Sequence, residues 1–177
     1  KKGNKKIFLE KTPEYCLEDK FLKRIYEYNK DIKIIFIFRE PYSRIKSAYE
    51  LYKKLEYKGE FKQFIREDDK KYNVLKFSKY TNIFNNILSK FKLNNVLVIN
   101  FDKINSEETR KKLSNFLDIE LHEKNFPKSN SFKSDTTNEN YKDIIKSIYG
   151  SKLDEDYKDF LNLFEDYEKR FKKIYKL

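Results

Sequence analysis

One cysteine and one histidine are all that 177 residues contain, with no tryptophan, no methionine, three glycines and three prolines. Cys16 alone excludes an internal disulfide framework. With His122 the sole imidazole, a Cys/His zinc site and a His-dependent nucleophilic triad are both disfavoured. Any chemistry rests on carboxylates, lysines, arginines and hydroxyls. Long hydrophobic runs are missing too. None approaches the roughly 20 residues that span a bilayer, and the longest, Ile34 to Phe38, is the size of a strand. No signal peptide is visible, and the chain opens Lys1-Lys2-Gly3 without Met, so an upstream portion is expected to have been removed.

What is present is charge and aromatic bulk. Forty Lys+Arg against 29 Asp+Glu give +11, beside a hydrophobic fraction of 38% that includes 14 Tyr and 16 Phe. That is enough apolar material for a core, and the length fits a single domain over residues 1–177. The excess of Lys, Asn, Ile, Tyr and Phe has the look of codon bias from an AT-rich genome, which discounts the basic charge as a mark of function. A nucleic-acid partner, stacking bases on the aromatics, is disfavoured because most aromatics fall on helical stripes. The lysine pairs, such as Lys53-Lys54 and Lys111-Lys112, are scattered rather than gathered into a patch.

Sparse Gly and Pro locate the breaks between periodic segments. Lys5 to Leu9 is a short strand candidate. Thr12-Pro13 then supplies a cap and a proline suited to a first helical turn, predicting a helix over 13–28 with Leu17, Phe21, Ile25 and Tyr28 on its buried stripe. Ile32 to Phe38 is almost wholly apolar, as expected of a strand covered on both faces in a parallel sheet. Pro41 opens a second helix with the stripe Ile45, Ala48, Tyr52 and Leu55, ending near Gly59. One or two helices between 61 and 91 precede a strand at Val96 to Ile99. Asn105 with Glu108 resembles a capping box for a helix carrying Leu113, Phe116 and Leu117. Residues 127–140 read as a loop, and the tail from Tyr141 to Tyr175 as one or two amphipathic helices with Leu153, Tyr157, Phe160, Leu161 and Phe164 on one side. Strands alternating with helices predict a three-layer α/β fold with right-handed crossovers.

In open α/β sheets ligands sit beyond the carboxyl ends of the strands. After the second strand candidate come Arg39, Pro41, Arg44, Ser47 and Tyr49. Arg39 at the strand end, backbone N–H groups at the helix start and Ser47 two turns along form a set that can grip a phosphate. The plainer reading pairs Arg39 with a carboxylate and leaves Ser47 an ordinary helix serine, and the residues alone favour neither. After the first strand candidate, Glu10 and Lys11 stand beside a helix start that would hold Glu10 ionised. An oriented carboxylate there can act as a general base, although a surface Glu and Lys in a loop is the simpler account.

A resemblance joins these pieces. The strand followed by Arg39-x-Pro41-x-x-Arg44-x-x-Ser47-x-Tyr49 resembles the 3′-phosphate-binding motif of the sulfotransferases that use 3′-phosphoadenosine 5′-phosphosulfate, PAPS. Glu10-Lys11-Thr12-Pro13-Glu14-Tyr15 is similar to the Glu-Lys-(Ser/Thr)-Pro-x-Tyr segment of the heparan sulfate branch, where the Glu is the catalytic base. Val96 to Ile104 and the helix ending Asn115-Phe116-Leu117 resemble the late strand and helix of that family, and Tyr80 matches a Tyr before an amphipathic helix. The similarity covers roughly residues 5–120.

The resemblance implies a P-loop-like parallel sheet flanked by helices and a sulfotransferase acting on a hydroxyl or amine of a carbohydrate, without metal. Glu10 would be the base, and Lys11 would neutralise charge on the transferring group or the acceptor. Arg39 and Ser47 would bind the 3′-phosphate of PAPS, with Tyr80 and Lys133 also at the nucleotide. The family's first strand and its Gly- and Lys-containing 5′-phosphosulfate loop have no counterpart here, and they are expected upstream of Lys1. The family also places a Lys-Gly loop over the nucleotide, whereas Lys133 is followed by Ser134. The alternative is a non-catalytic sulfotransferase-like fragment or relative that binds a nucleotide or an acidic glycan.

Overall fold

The computed structural model describes residues 8–121, 126 and 140–177. Its sheet is made by the two runs that read as buried strands, β1 (Ile34–Phe38) and β2 (Val96–Asn100). They pair in parallel, with Ile34 opposite Val96 and Phe38 opposite Asn100. Val96 to Ile99 are all buried, as a run of branched apolar residues in a covered strand should be. The strand expected at Lys5 to Leu9 is not found. Phe8 and Leu9 have no regular structure and are 92% and 83% exposed, and residues 5–7 lie outside the described residues.

Before β1 the chain forms a 3-10 helix at Pro13–Leu17 and then α1 (Asp19–Tyr28), not the one helix expected over 13–28. Glu18 between them is extended, φ −131° and ψ 127°, which interrupts helical hydrogen bonding and resets the phase of the stripe. The stripe of α1 accordingly centres on buried Leu22, and Tyr28 turns outward, 89% exposed.

Two parallel strands need a long crossover. Here it carries α2 (Pro41–Lys54), α3 (Phe61–Lys71), α4 (Val74–Ser78) and α5 (Tyr80–Lys90). α2 stops before Gly59 because its end is a Schellman turn built without glycine. Glu56 takes φ 71°, its N–H donates to the Lys53 carbonyl, and the Tyr57 N–H donates to that of Tyr52 at 2.9 Å. Leu55 therefore leaves the stripe and is 66% exposed. After β2 come α6 (Glu107–Leu117), α7 (Tyr141–Tyr149) and α8 (Lys152–Tyr175). The cap of α6 is Ser106, whose hydroxyl accepts the Thr109 N–H, while Asn105 accepts from the Phe126 N–H instead. On α8, Leu153 and Phe160 are buried but Leu161 faces outward. The loop expected at 127–140 falls, except for Asn140, outside the described residues. No described helix is long and apolar enough to cross a membrane.

The described residues gather into two compact units. One draws on 8–38, 83–121 with Phe126, and 166–177; the other on 39–82 and 140–165. In the first, Tyr167 of α8 is 1% exposed, and its hydroxyl donates to the Val96 carbonyl at 2.7 Å and accepts the Val98 N–H at 3.2 Å. Its ring meets Phe84 edge-on at 5.6 Å. In the second, Ile45 and Tyr49 of α2 pack with Phe61, Phe64 and Ile65 of α3 and with Tyr141 and Ile145 of α7. Phe64 stacks on Tyr72 at 4.6 Å, and Tyr141 stands edge-on to Phe61 at 4.5 Å. Each such side chain contributes roughly 1.5–3 kcal/mol by leaving water. Of the 30 aromatics, 14 are buried among the described residues and form much of these two cores.

α6 and α8 are also tied by charge within the first unit. Lys112, 8% exposed, pairs with Glu168 and reaches Glu108 at 3.2 Å, and Lys172 reaches Glu108 at 2.9 Å. Lys172 first and Lys112 second hold the Glu108 carboxyl down to about 2. A lowered carboxyl value stabilises the fold above the ordinary range near 4.5 and loses that contribution as pH falls through 2. Urea unfolding between pH 5 and 2 should therefore show a falling midpoint, and Glu108→Gln should flatten that part of the slope.

Candidate functional site

Chain direction places the first cluster. Arg39 follows the last residue of β1, so it stands at the carboxyl end of a parallel strand, and Pro41 starts α2 two residues later. The side chain of Arg39 is half-buried. Its backbone is gripped on both sides by Tyr80, the first residue of α5. The Tyr80 hydroxyl donates to the Arg39 carbonyl at 2.8 Å and accepts the Arg39 N–H at 3.3 Å. Tyr80 is 2% exposed, and burial pushes its phenol up to about 12. Ser47 lies on α2, on the side away from Ile45, and is half-buried. The structure therefore brings Arg39 and Tyr80 together and sets Ser47 on the helix that leads away from them.

The start of α2 is not the open anion site expected from the sequence. Pro41 has no N–H to offer. Glu40 caps the helix, its Oε2 accepting the Ser43 N–H at 2.8 Å and the Ser43 hydroxyl at 2.6 Å. Lys142 stands 3.9 Å from the other oxygen of Glu40. Arg44 is engaged in the fold: its guanidinium lies 3.4 Å from both the Val74 carbonyl and the Ser78 hydroxyl and 5.1 Å from the Phe77 ring. This arginine ties α2 to α4. Arg39 at the strand end and Ser47 on α2 are the residues of this segment whose side chains are of a type that donates to oxyanions.

The second cluster belongs to the other unit. Glu10 and Lys11 are exposed, just ahead of the 3-10 helix at Pro13–Leu17. Thr12 was expected to cap a helix, but its hydroxyl donates to Glu10 Oε1 at 3.0 Å. The Tyr15 hydroxyl donates to the same oxygen at 2.7 Å, and that bond holds the Tyr15 phenol above its ordinary value. Two donors on Oε1 orient the carboxylate and leave Oε2 as its open oxygen. The tight 3-10 turn makes this possible, because it folds Tyr15 back over the residues before Pro13. Sequence spacing pointed to Glu10 but not to the way Thr12 and Tyr15 serve it. Cys16 is half-buried, with its thiol directed to the Pro13 carbonyl. Lys133 and His122 lie outside the described residues.

A shallow cavity of about 290 Å³ lies between α6 and the end of α8, lined by Glu107, Glu108, Lys111, Lys112, Lys172 and Leu177. None of the sequence-predicted site residues lines it. Among the described residues no group of three or more His, Cys, Asp or Glu side chains is placed to hold a metal ion.

An α/β chain with a small parallel sheet flanked by helices, an arginine at the carboxyl end of one strand and a helix directly after it is a recognisable layout. The chain is similar in structure to a sulfotransferase from Alicyclobacillus acidocaldarius, with a TM-score of 0.63 over 86% of this chain and 17% sequence identity. The fold is that of a sulfotransferase, and the match spans 62% of the length of that structure. No family profile and no curated protein matches the sequence.

Proposed function

We propose that the chain carries the nucleotide and base residues of a PAPS-dependent sulfotransferase acting on a hydroxyl or amine of a carbohydrate. The observation that carries this reading is Arg39, held at the carboxyl end of a parallel strand with Ser47 on the helix that follows, in a chain with a sulfotransferase fold. Arg39 and Ser47 take the 3′-phosphate, the group that separates PAPS from other adenine nucleotides. Tyr80 belongs to the same residue set, and Lys133 is assigned to the nucleotide by its place in the sequence. A saccharide acceptor of the heparan sulfate kind is favoured by Glu10-Lys11-Thr12-Pro13 with Tyr15 following.

When bound, PAPS supplies the sulfuryl group: the acceptor oxygen forms its bond to sulfur as the bond from sulfur to the nucleotide phosphate breaks, and the electron pair leaves with adenosine 3′,5′-bisphosphate. Glu10 takes the acceptor proton on Oε2, while Thr12 and Tyr15 hold Oε1. Lys11 places positive charge where negative charge gathers. Such transfers depend on positioning and cationic stabilisation rather than on covalent help from the protein.

The test is a thermal shift with adenosine 3′,5′-bisphosphate against 5′-AMP. A ligand at a hundred times its Kd stabilises by about 2.7 kcal/mol, which for this length is roughly 5–10 °C. The bisphosphate should give that shift, 5′-AMP much less, and Arg39→Ala should remove the difference. Equal shifts by the two nucleotides, or none, would overturn the reading.

A further inference from the structure

We infer that Tyr80 and Asp156 are positioning residues for Arg39, acting on the 3′-phosphate through the backbone of that arginine rather than by touching the nucleotide. The inference rests on the reading of Arg39 as the phosphate ligand. Its starting point is the end of β1. Phe38 is the last residue of the ladder, so the N–H and C=O of Arg39 have passed beyond the sheet and need other partners. One hydroxyl supplies both. Tyr80 accepts from the N–H and donates to the carbonyl of the same residue. Gripping both ends of one residue fixes the direction in which its Cα–Cβ bond points, and therefore where the guanidinium is delivered.

The donor of that hydroxyl is spent. A phenol has one O–H, and here it goes to the Arg39 carbonyl, so Tyr80 has none to give a nucleotide. This assigns Tyr80 a different part from the direct contact that the resemblance implies.

Tyr80 is itself held from behind. Its N–H, the first of α5, donates to Asp156 Oδ2 at 2.7 Å, and the Thr81 N–H reaches the same oxygen at 3.4 Å. The Thr81 hydroxyl donates to the Asp156 carbonyl at 2.9 Å. Asp156 thus caps α5 from another helix, meeting N–H groups that α5 cannot satisfy itself. The Tyr80 ring packs on Phe160, at 5.2 Å, and Tyr157, at 6.3 Å, of the same helix. A continuous set of part-buried contacts therefore runs from α8 through the start of α5 to Arg39.

The test is calorimetric titration of adenosine 3′,5′-bisphosphate and of 5′-AMP into wild type, Tyr80→Phe, Asp156→Asn, Arg39→Ala and the double variant Arg39→Ala/Tyr80→Phe. The quantity read is the ratio of the two affinities. Tyr80→Phe keeps the ring and its packing but loses the two bonds, and it should lower the ratio roughly fivefold, the value of one oriented hydrogen bond. Asp156→Asn should lower it in the same direction and by less. In the Arg39→Ala background, Tyr80→Phe should change nothing further. Phe160→Leu, which loosens the same region without touching these bonds, should reduce thermal stability and leave the ratio alone.

An unchanged ratio in Tyr80→Phe, with both affinities reduced together, would show a merely structural role and overturn the inference. So would an equal loss in both backgrounds, which would mean a direct contact. A wild-type protein that does not distinguish the two nucleotides would remove the phosphate site itself, a separate failure read in the first titration. Should Tyr80→Phe not fold, Asp156→Asn carries the same comparison.

Discussion

Exchanging Glu10 for Gln should slow sulfuryl transfer by roughly 10²–10⁴-fold, the usual worth of a placed general base, and leave the affinity for adenosine 3′,5′-bisphosphate unchanged. The separation follows from where the residue stands. Glu10 is exposed, on the segment before Pro13, and its known partners are Thr12 and Tyr15, both of which spend their hydroxyl on Oε1. A glutamine still accepts those two bonds through its carbonyl oxygen but presents an NH₂ where a base is required. Single-turnover transfer from PAPS to a heparan-type acceptor, with bisphosphate binding measured in parallel, tells the cases apart. Nucleotide binding with no turnover in the wild type would identify a binding protein with this fold. Turnover that survives Glu10→Gln would place the base elsewhere.

The largest loss of stability is expected at a residue with no part in the chemistry. Asp68 on α3 is 1% exposed, and its carboxyl accepts the Val74 and Leu75 N–H groups at the start of α4 and the Tyr149 hydroxyl of α7 at 3.2 Å. The Asp68 carbonyl also accepts from Tyr72 and Asn73, so α3 turns into α4 around this one residue. The turn needs Asn73 in the left-handed region, φ 52°, a conformation that its short polar side chain tolerates. Asp68→Ala strands the two backbone donors of α4 in a site from which water is excluded, while the Tyr149 hydroxyl keeps the Ile65 carbonyl at 3.1 Å. At 1–3 kcal/mol for each unsatisfied group, the loss should be about 3 kcal/mol or more, lowering Tm by roughly 6–12 °C. Asp68→Asn, which keeps one acceptor, should fall between. A change of less than 2 °C in Asp68→Ala, by scanning calorimetry, would show that the turn holds without its carboxyl.

How much of this was legible in the sequence depends on the range of the interaction concerned. β1, β2 and the body of α2 are set by local pattern, continuous branched residues in the strands and Pro41 with a helical stripe behind it, and they stand where the pattern puts them, although β1 is not covered on both faces as expected, since Ile37 is 47% exposed. The helix expected over 13–28 failed at Glu18, because nothing in its neighbours marks an extended residue between two helical turns. Leu55 failed because the stop of α2 is a backbone motif at Glu56 and Tyr57, and glycine, the usual sign of that motif, comes only later at Gly59. In the candidate site the strand, turn and helix bearing Arg39 and Ser47 were readable from residue types. Glu40 as the helix cap could not be read, since glutamate is not among the residue types that favour that position. Resemblance alone pointed to Tyr80, and neither its grip on Arg39 nor the part of Asp156 could be read, because the bonds that define them join residues 41 and 76 positions apart.

Tyr167 bears on how the protein behaves in company. A strand with idle backbone groups is a template on which a second chain can build, the first step toward swapped or fibrous assemblies. β2, whose Val96 to Ile99 are all buried, has the Val96 carbonyl and the Val98 N–H occupied by the Tyr167 hydroxyl. An intruding strand would have to evict a fully buried aromatic ring before making its first bond. One phenol on α8 thus does for β2 what a neighbouring strand would do, and guards its most adhesive stretch against copies of itself.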